Sequence, residues 1–95
     1  MLFHITQIHT PENCPKDAGG SEALYDPKVE AVKLRARYGA FAEHVIYYIV
    51  EADSLKAIHK FLDPGFKRCT ATITPVSEEP IARRRGSEEG PALQG

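Results

Sequence analysis

The segment at residues 44–51 constrains the fold more than any other part of this 95-residue chain. Its sequence, HVIYYIVE, is rich in the β-branched and aromatic side chains that favour a strand. Apolar residues fall on both faces of that strand, a pattern typical of a central strand that is covered on two sides. The chain must therefore supply neighbouring strands and a cover for each face of the sheet.

Three further segments show the alternation of apolar and polar residues that predicts strands. They are residues 2–10, 32–38 and 67–76. Residues 32–38 also have high helix propensity, but a helix would spread Arg35 and Arg37 across its packing side. A strand instead places four apolar residues on one face, namely Val32, Leu34, Ala36 and Tyr38.

The connections between these strands contain the predicted helices. Asp53 is expected to cap a helix that runs to about Leu62, with apolar residues at helical spacing. Residues 11–20 are dense in Pro and Gly and predict a long, shaped loop. Short helices are expected after it, at residues 21–24 and 26–31.

This order of elements predicts an α+β fold, a ferredoxin-like split βαβ arrangement with a four-stranded antiparallel sheet. Residues 1–76 form the domain, and residues 77–95 are expected to be a disordered tail with a run of three arginines at 83–85. The helices cover one face of the sheet. The other face is predicted to carry an apolar set too large to be left in water: Leu2, Ile8, Ile46, Tyr48 and Val50.

A second copy of the chain is the expected cover for that face, since two-fold homodimers are the commonest oligomers. Two sheets stacked face to face would form a dimeric α/β barrel with a cavity between them. The leading functional hypothesis from the sequence is therefore a homodimeric protein that binds a small molecule in this cavity.

Two early runs of sequence, MLFHIT at residues 1–6 and HTPENCP at 9–15, resemble the opening of a small bacterial protein family of unknown function. The family belongs to the dimeric α/β-barrel, ferredoxin-like superfamily. Later segments that resemble it include VEAD at 50–53 and ITPV at 73–76. The resemblance extends over nearly all of residues 1–76, although the first helical region is shorter here. It implies the barrel fold and, because such activities occur in the superfamily, an alternative function as a cofactor-free isomerase or monooxygenase acting on a small cyclic metabolite.

His9, Cys14 and His44 form the sharpest candidate site. The two histidines lie at strand ends and Cys14 follows His9 by five residues on a loop bracketed by prolines, so all three side chains are expected at one edge of the sheet. Imidazole and thiolate ligands suit Zn, Ni or Cu, and three ligands leave a position open. The sequence favours a simpler interpretation, in which the histidines hydrogen-bond the loop and Cys14 is a small buried hydrophobe.

A second candidate site is a polar lining on the sheet face opposite the helix. His4 is proposed there as a catalytic acid or base, since it is the one group of this set that titrates near neutral pH. Arg35 or Arg37 would steady an anionic ligand. The expected ligand-binding residues are Thr6, Arg35, Arg37, Tyr48, Thr70 and Thr72. The competing interpretation is that threonines favour strands and that strand arginines are solvated.

Composition excludes several classes of function. Twelve Lys and Arg against thirteen Asp and Glu give a net charge of −1, so no basic field attracts nucleic acid. Two cysteines are too few for a disulfide scaffold and fit a reducing, cytoplasmic setting. No segment has the apolar length of a membrane span, and the first residues do not resemble a signal peptide. Whether the protein is an enzyme is left open by the sequence.

Overall fold

Four strands of eight residues each form one antiparallel sheet in the computed structural model, which describes residues 1–40 and 42–79. They are β1 (Leu2–His9), β2 (Val32–Gly39), β3 (Val45–Ala52) and β4 (Cys69–Val76). The order across the sheet is β2-β3-β1-β4. Each neighbouring pair is antiparallel. The predicted α+β class with a four-stranded antiparallel sheet is confirmed, and β3 is central as expected.

The helix α1 (Leu55–Leu62) connects β3 to β4. Its N-cap is Ser54, whose Oγ accepts a hydrogen bond from the Ala57 N–H at 3.1 Å. The prediction that Asp53 caps this helix is therefore wrong by one residue. Among the described residues, no helix has the length and apolar character needed to cross a membrane.

The connection from β1 to β2 contains three short 3₁₀ turns, at Pro11–Asn13, Pro15–Asp17 and Gly20–Leu24. The last of these replaces the helix expected at residues 21–24. The helix expected at residues 26–31 is wrong, because these residues form turns. Asp26 accounts for the first of them, since its Oδ1 accepts a hydrogen bond from the Lys28 N–H at 2.9 Å. Residues 80–95, which include most of the predicted tail and the arginines at 83–85, lie outside the described residues.

One face of the sheet, the covered face, packs against α1 and the turn Gly20–Leu24. Its strand residues join the side chains of these two elements in a single core. Among the described residues, the largest fully buried side chains are Ile5, Gln7, Leu24, Tyr48, Val50, Ile58, Phe61 and Leu62. The hydrophobic effect of this cluster is what holds the helix and the first loop on the sheet.

The opposite face, the open face, carries the alternate residues of the same strands. None of its side chains is buried; all are half-buried or exposed. Its apolar members include Leu2, Ile8, Val45, Tyr47, Ile49 and Tyr38. The covered face is therefore shielded from solvent, whereas the open face is apolar in part but accessible to solvent.

The predicted membership of the two faces is partly wrong. Leu2 and Ile8 lie on the open face as expected, but Ile46, Tyr48 and Val50 lie on the covered face and are buried. The register explains this, because Tyr48 pairs with Ile5 and paired residues of antiparallel strands point to the same side.

A β-bulge between Leu34 and Ala36 also changes the faces of β2. The extra residue, Arg35, reverses the alternation, so Leu34 lies on the covered face and Ala36 on the open face. Arg37 then falls on the covered face opposite Tyr48. The prediction that the apolar residues of β2 share one face is therefore wrong.

Gln7 forms the buried polar connection between the sheet and the first loop. Its Nε2 donates to the Leu24 carbonyl at 3.0 Å, and its Oε1 accepts from the Tyr48 hydroxyl at 2.7 Å. Burial raises the pKa of Tyr48 well above its ordinary range, so the phenol stays protonated and continues to donate. Gly65 closes over this connection, because a Cβ there would lie 2.5 Å from the Leu24 carbonyl oxygen.

Replacing Tyr48 by Phe tests this connection. The change leaves Gln7 Oε1 buried without its donor, which is expected to lower the free energy of unfolding by about 1–3 kcal/mol in urea denaturation. Tyr47→Phe is the matched control, because Tyr47 is the neighbouring tyrosine on the open face, and its effect should stay within about 0.5 kcal/mol. Equal effects of the two substitutions would contradict the assignment.

Candidate metal centre

The end of β1 and the start of β3 place two histidines side by side. His9 is the last residue of β1, and His44 immediately precedes β3. The His9 N–H donates to the His44 carbonyl oxygen at 3.1 Å, which continues the pairing of the two strands by one step. The backbone ladder thus fixes the separation of the two imidazole rings.

Cys14 reaches the same place from the first loop. It lies between the turns Pro11–Asn13 and Pro15–Asp17, and its N–H donates to the Pro11 carbonyl oxygen at 3.3 Å. The proline that follows it is buried. Two prolines with fixed φ angles therefore shape the short path that returns Cys14 to the edge of the sheet.

The side chains of His9, Cys14 and His44 converge, as the sequence predicts. One ligand atom from each residue lies within 4.8 Å of the other two. His9 is buried, and Cys14 and His44 are half-buried. The rings of the two histidines meet edge to face, with centroids 4.9 Å apart and planes inclined by 69°. A nitrogen, a nitrogen and a sulfur thus surround one small volume at the sheet edge.

The separation of the two histidine nitrogens is close to that of two ligands in a coordination sphere. His44 Nδ1 and His9 Nε2 lie 3.1 Å apart. Two nitrogens bound tetrahedrally at about 2.0–2.1 Å from one ion lie about 3.3 Å from each other. Movement of a few tenths of an ångström therefore converts the histidine contact into one edge of a tetrahedral site.

The simpler interpretation of these residues receives little support from the structure. Within residues 1–40 and 42–79, the hydrogen bond of each ring is made to the other ring and none is made to the loop. His9 Nδ1 is buried and has no hydrogen-bond partner among the described residues. Among the described residues, neither ring therefore fixes the path of the loop through a hydrogen bond.

The electrostatics of the site favour neutral imidazole at His9. Burial, and to a lesser extent the neighbouring His44, lower the pKa of His9 below its ordinary value of 6.5. A metal ion binds imidazole in its neutral form. The lowered pKa therefore reduces the competition between protons and a metal ion for the His9 ring near neutral pH.

A cavity of about 200 Å³ adjoins His9 and Cys14. Pro15, Leu24 and Ile46 give it apolar walls, and Lys16 and Ser21 are its polar lining residues. Sequence reasoning did not identify these five residues. The signal for Lys16 was its place beside Cys14 in the shaped loop, whereas Leu24 and Ile46 reach the cavity only through the tertiary fold.

The residues of the predicted polar lining divide between the two faces. His4, Thr6, Thr70 and Thr72 lie on the open face, where Thr6 pairs with Thr72. The His4 ring is half-buried and lies 5.8 Å from the Tyr47 ring, centroid to centroid. The catalytic role of His4 stays a prediction.

Of the two arginines, Arg35 belongs to the open face. Its Nη1 donates to Glu51 Oε2 at 2.6 Å in an exposed ion pair. Arg35 also lines a cavity of about 250 Å³ together with Leu2, Ile49 and Val76.

Arg37 and Tyr48 do not belong to the predicted lining. Tyr48 is fully buried on the covered face, and the Arg37 guanidinium lies on the same face, 4.9 Å from the centroid of the Tyr25 ring. Their grouping with His4 and Thr6 is therefore wrong, for the reasons of register and bulge given above.

Comparison of the chain with protein-family models, with curated proteins and with solved structures found no match.

The lowered pKa of His9 predicts an acid-sensitive fold in the metal-free protein. Below about pH 6.5 the unfolded chain binds a proton at His9 before the folded chain does, so the free energy of unfolding falls as the pH falls. Urea denaturation between about pH 7.5 and 5.5 should show this slope.

The slope should become shallower in His9→Gln and remain in His59→Gln, since His59 is exposed on α1. An identical pH dependence in the wild-type protein and His9→Gln would contradict the role given to His9.

Proposed function

We propose that this protein binds a divalent transition-metal ion through His9, Cys14 and His44. The convergence of one ligand atom from each of these residues to within 4.8 Å is the observation that carries the proposal. The suppressed protonation of His9 agrees with it, because a metal ion binds imidazole in its neutral form. When bound, the ion would supply Lewis acidity at the edge of the sheet where β1 ends and β3 begins.

The donor set narrows the choice of metal. Two imidazoles and one thiolate are borderline to soft ligands, which suit Zn, Cu and Ni and disfavour Mg and Ca. Three protein ligands with one open position is the arrangement of catalytic and ligand-exchanging zinc sites, whereas structural zinc sites use four. Zinc is therefore the ion that we expect, and Ni and Cu are the alternatives.

Metal content measured on protein purified without an affinity tag tests the proposal. Under reducing conditions, we expect one equivalent of Zn²⁺ to remain bound through equilibrium dialysis. Cys14→Ser, His9→Gln and His44→Gln each remove a ligand. Each should weaken binding by more than the roughly 10- to 100-fold that loss of an outer-shell partner costs.

The chain offers matched controls for both residue types. Cys69 is a buried cysteine outside the cluster, and His59 is an exposed histidine on α1. Cys69→Ala and His59→Gln should bind zinc as the wild-type protein does. The proposal would be contradicted if Cys14→Ser, His9→Gln and His44→Gln all retained zinc, or if the wild-type protein bound none.

The open face favours a second candidate function, a homodimer that encloses a small-molecule ligand. The strand order β2-β3-β1-β4 supports a ferredoxin-like arrangement, in which two such sheets stack as a dimeric α/β barrel. The cavity lined by Leu2, Arg35, Ile49 and Val76 lies on this face, so a second copy would enclose it. His4, Thr6 and Arg35 would then offer polar groups to a ligand in an apolar setting.

The size of the open face suits a second copy of the chain. Four strands of eight residues span about 19 by 27 Å, or about 500 Å² of flat area per copy. Two copies would bury about 1,000 Å² or more, which reaches the lower bound for a specific interface. A two-fold axis would cover the open faces of both copies with each other, since each copy presents the same apolar residues.

Sedimentation of the full chain tests the dimer. Ile49 lies on the open face of the central strand β3, and Ile49→Lys is expected to convert a dimer to a monomer, because burying an unpaired charge at an interface is costly. Leu55→Lys is the matched control, since Leu55 is 59% exposed on α1, and it should remain a dimer. A monomeric wild-type protein, or a dimer unaffected by Ile49→Lys, would contradict this second candidate.

A further inference from the structure

The proposed metal site leaves at least one coordination position without a protein ligand. Among the described residues, the cluster contains two histidines and one cysteine, and no Asp or Glu joins it. Zinc and its spectroscopic substitute cobalt take four ligands in such sites, and the fourth is water or an exogenous molecule. The charge of the site and the volume of the adjoining cavity indicate which class of molecule would be the fourth ligand.

Charge at the site favours an anion. A divalent ion with one thiolate and two neutral imidazoles retains a single positive charge. Lys16 lines the adjoining cavity and adds a second positive charge, and no acidic residue is among the residues that line it. An anionic donor would be held both by coordination and by these charges.

Space at the site favours a small ligand with an apolar body. The cavity beside His9 and Cys14 measures about 200 Å³ and has Pro15, Leu24 and Ile46 as walls. An apolar cavity of about 150 Å³ is known to accept benzene, which has six carbon atoms. The cavity therefore suits a molecule of about six to eight non-hydrogen atoms.

We infer that the open position binds a small monocarboxylate, whose oxygen displaces water from the metal and whose hydrocarbon part occupies the cavity between Leu24 and Ile46. This inference rests on the proposed metal site and adds the class of ligand. Lys16, which lines the same cavity, attracts the carboxylate through its charge. Ser21, which is exposed and lines the cavity, sets the space available to the hydrocarbon part.

The experiment uses the full chain loaded with Co²⁺, whose visible absorption reports the ligands of the ion. The probes are butyrate, with a three-carbon body beyond its carboxylate, and azide, which binds the metal without filling the cavity. We expect butyrate to change the cobalt spectrum saturably. Ser21→Phe fills the cavity from its exposed wall, so butyrate should bind at least about tenfold more weakly, since each buried CH₂ contributes to affinity.

Azide separates the cavity from the metal. In Ser21→Phe, azide binding should stay within about twofold of the wild-type value, whereas Lys16→Gln should weaken both anions. Lys56→Gln, on α1 and away from this cavity, is the matched control and should change neither.

The outcomes distinguish this inference from the function on which it rests. A cobalt-loaded protein whose spectrum does not respond to butyrate, or whose Ser21→Phe variant binds butyrate as tightly as the wild type, overturns the carboxylate site and leaves the metal site standing. A chain that binds no Co²⁺ overturns both.

Discussion

The two buried hydrogen bonds of Gln7 are the interaction on which the candidate site depends. They join a central strand to Leu24 and Tyr48, and so fix the far end of the loop that carries Cys14. Amide groups buried in an apolar core are costly unless they are paired, and both polar ends of Gln7 are paired here. The loop is thereby anchored on the covered face by Leu24, and its near end is fixed by β1 itself. Cys14 is held between these two anchors.

The same anchoring explains why the cluster of His9, Cys14 and His44 and the cavity occur together. Leu24 is buried in the core and also lines the cavity beside Cys14. His9 and His44 are placed by the ladder between β1 and β3, which needs no contribution from the loop. The candidate site thus combines two histidines at the ends of paired strands with a cysteine on a shaped loop. Such a division suits a centre that keeps its ligands in place while a small molecule exchanges at the open position.

Much of the fold and the core of the site could be predicted from the sequence, because the relevant signals are local. Alternation identified the strands, and the strand ends identified His9 and His44. The prolines around Cys14 identified the loop that returns it to the sheet. The convergence of the three side chains followed from these positions.

The errors concern relations that local patterns do not encode. Tyr48 alternates with Tyr47 between two apolar faces, so only the cross-strand pairing with Ile5 determines that it is buried. Arg37 was misplaced because the bulge at Arg35 reverses the alternation without a glycine to signal it. Ser and Asp are both favoured at N-caps, so residue type alone did not distinguish Ser54 from Asp53. The cavity beside Cys14 depends on Leu24 and Ile46, which are distant in sequence.

X-ray absorption of the zinc-loaded protein tests whether His9, Cys14 and His44 are the metal ligands, because it reports the atoms bound to the ion. We expect one sulfur at about 2.3 Å and a shell of nitrogen or oxygen at about 2.0–2.1 Å that includes two imidazoles. In Cys14→Ser the sulfur should disappear, and in Cys69→Ala it should remain. A zinc environment made only of oxygen and nitrogen in the wild-type protein would contradict the assignment of His9, Cys14 and His44 as the metal ligands.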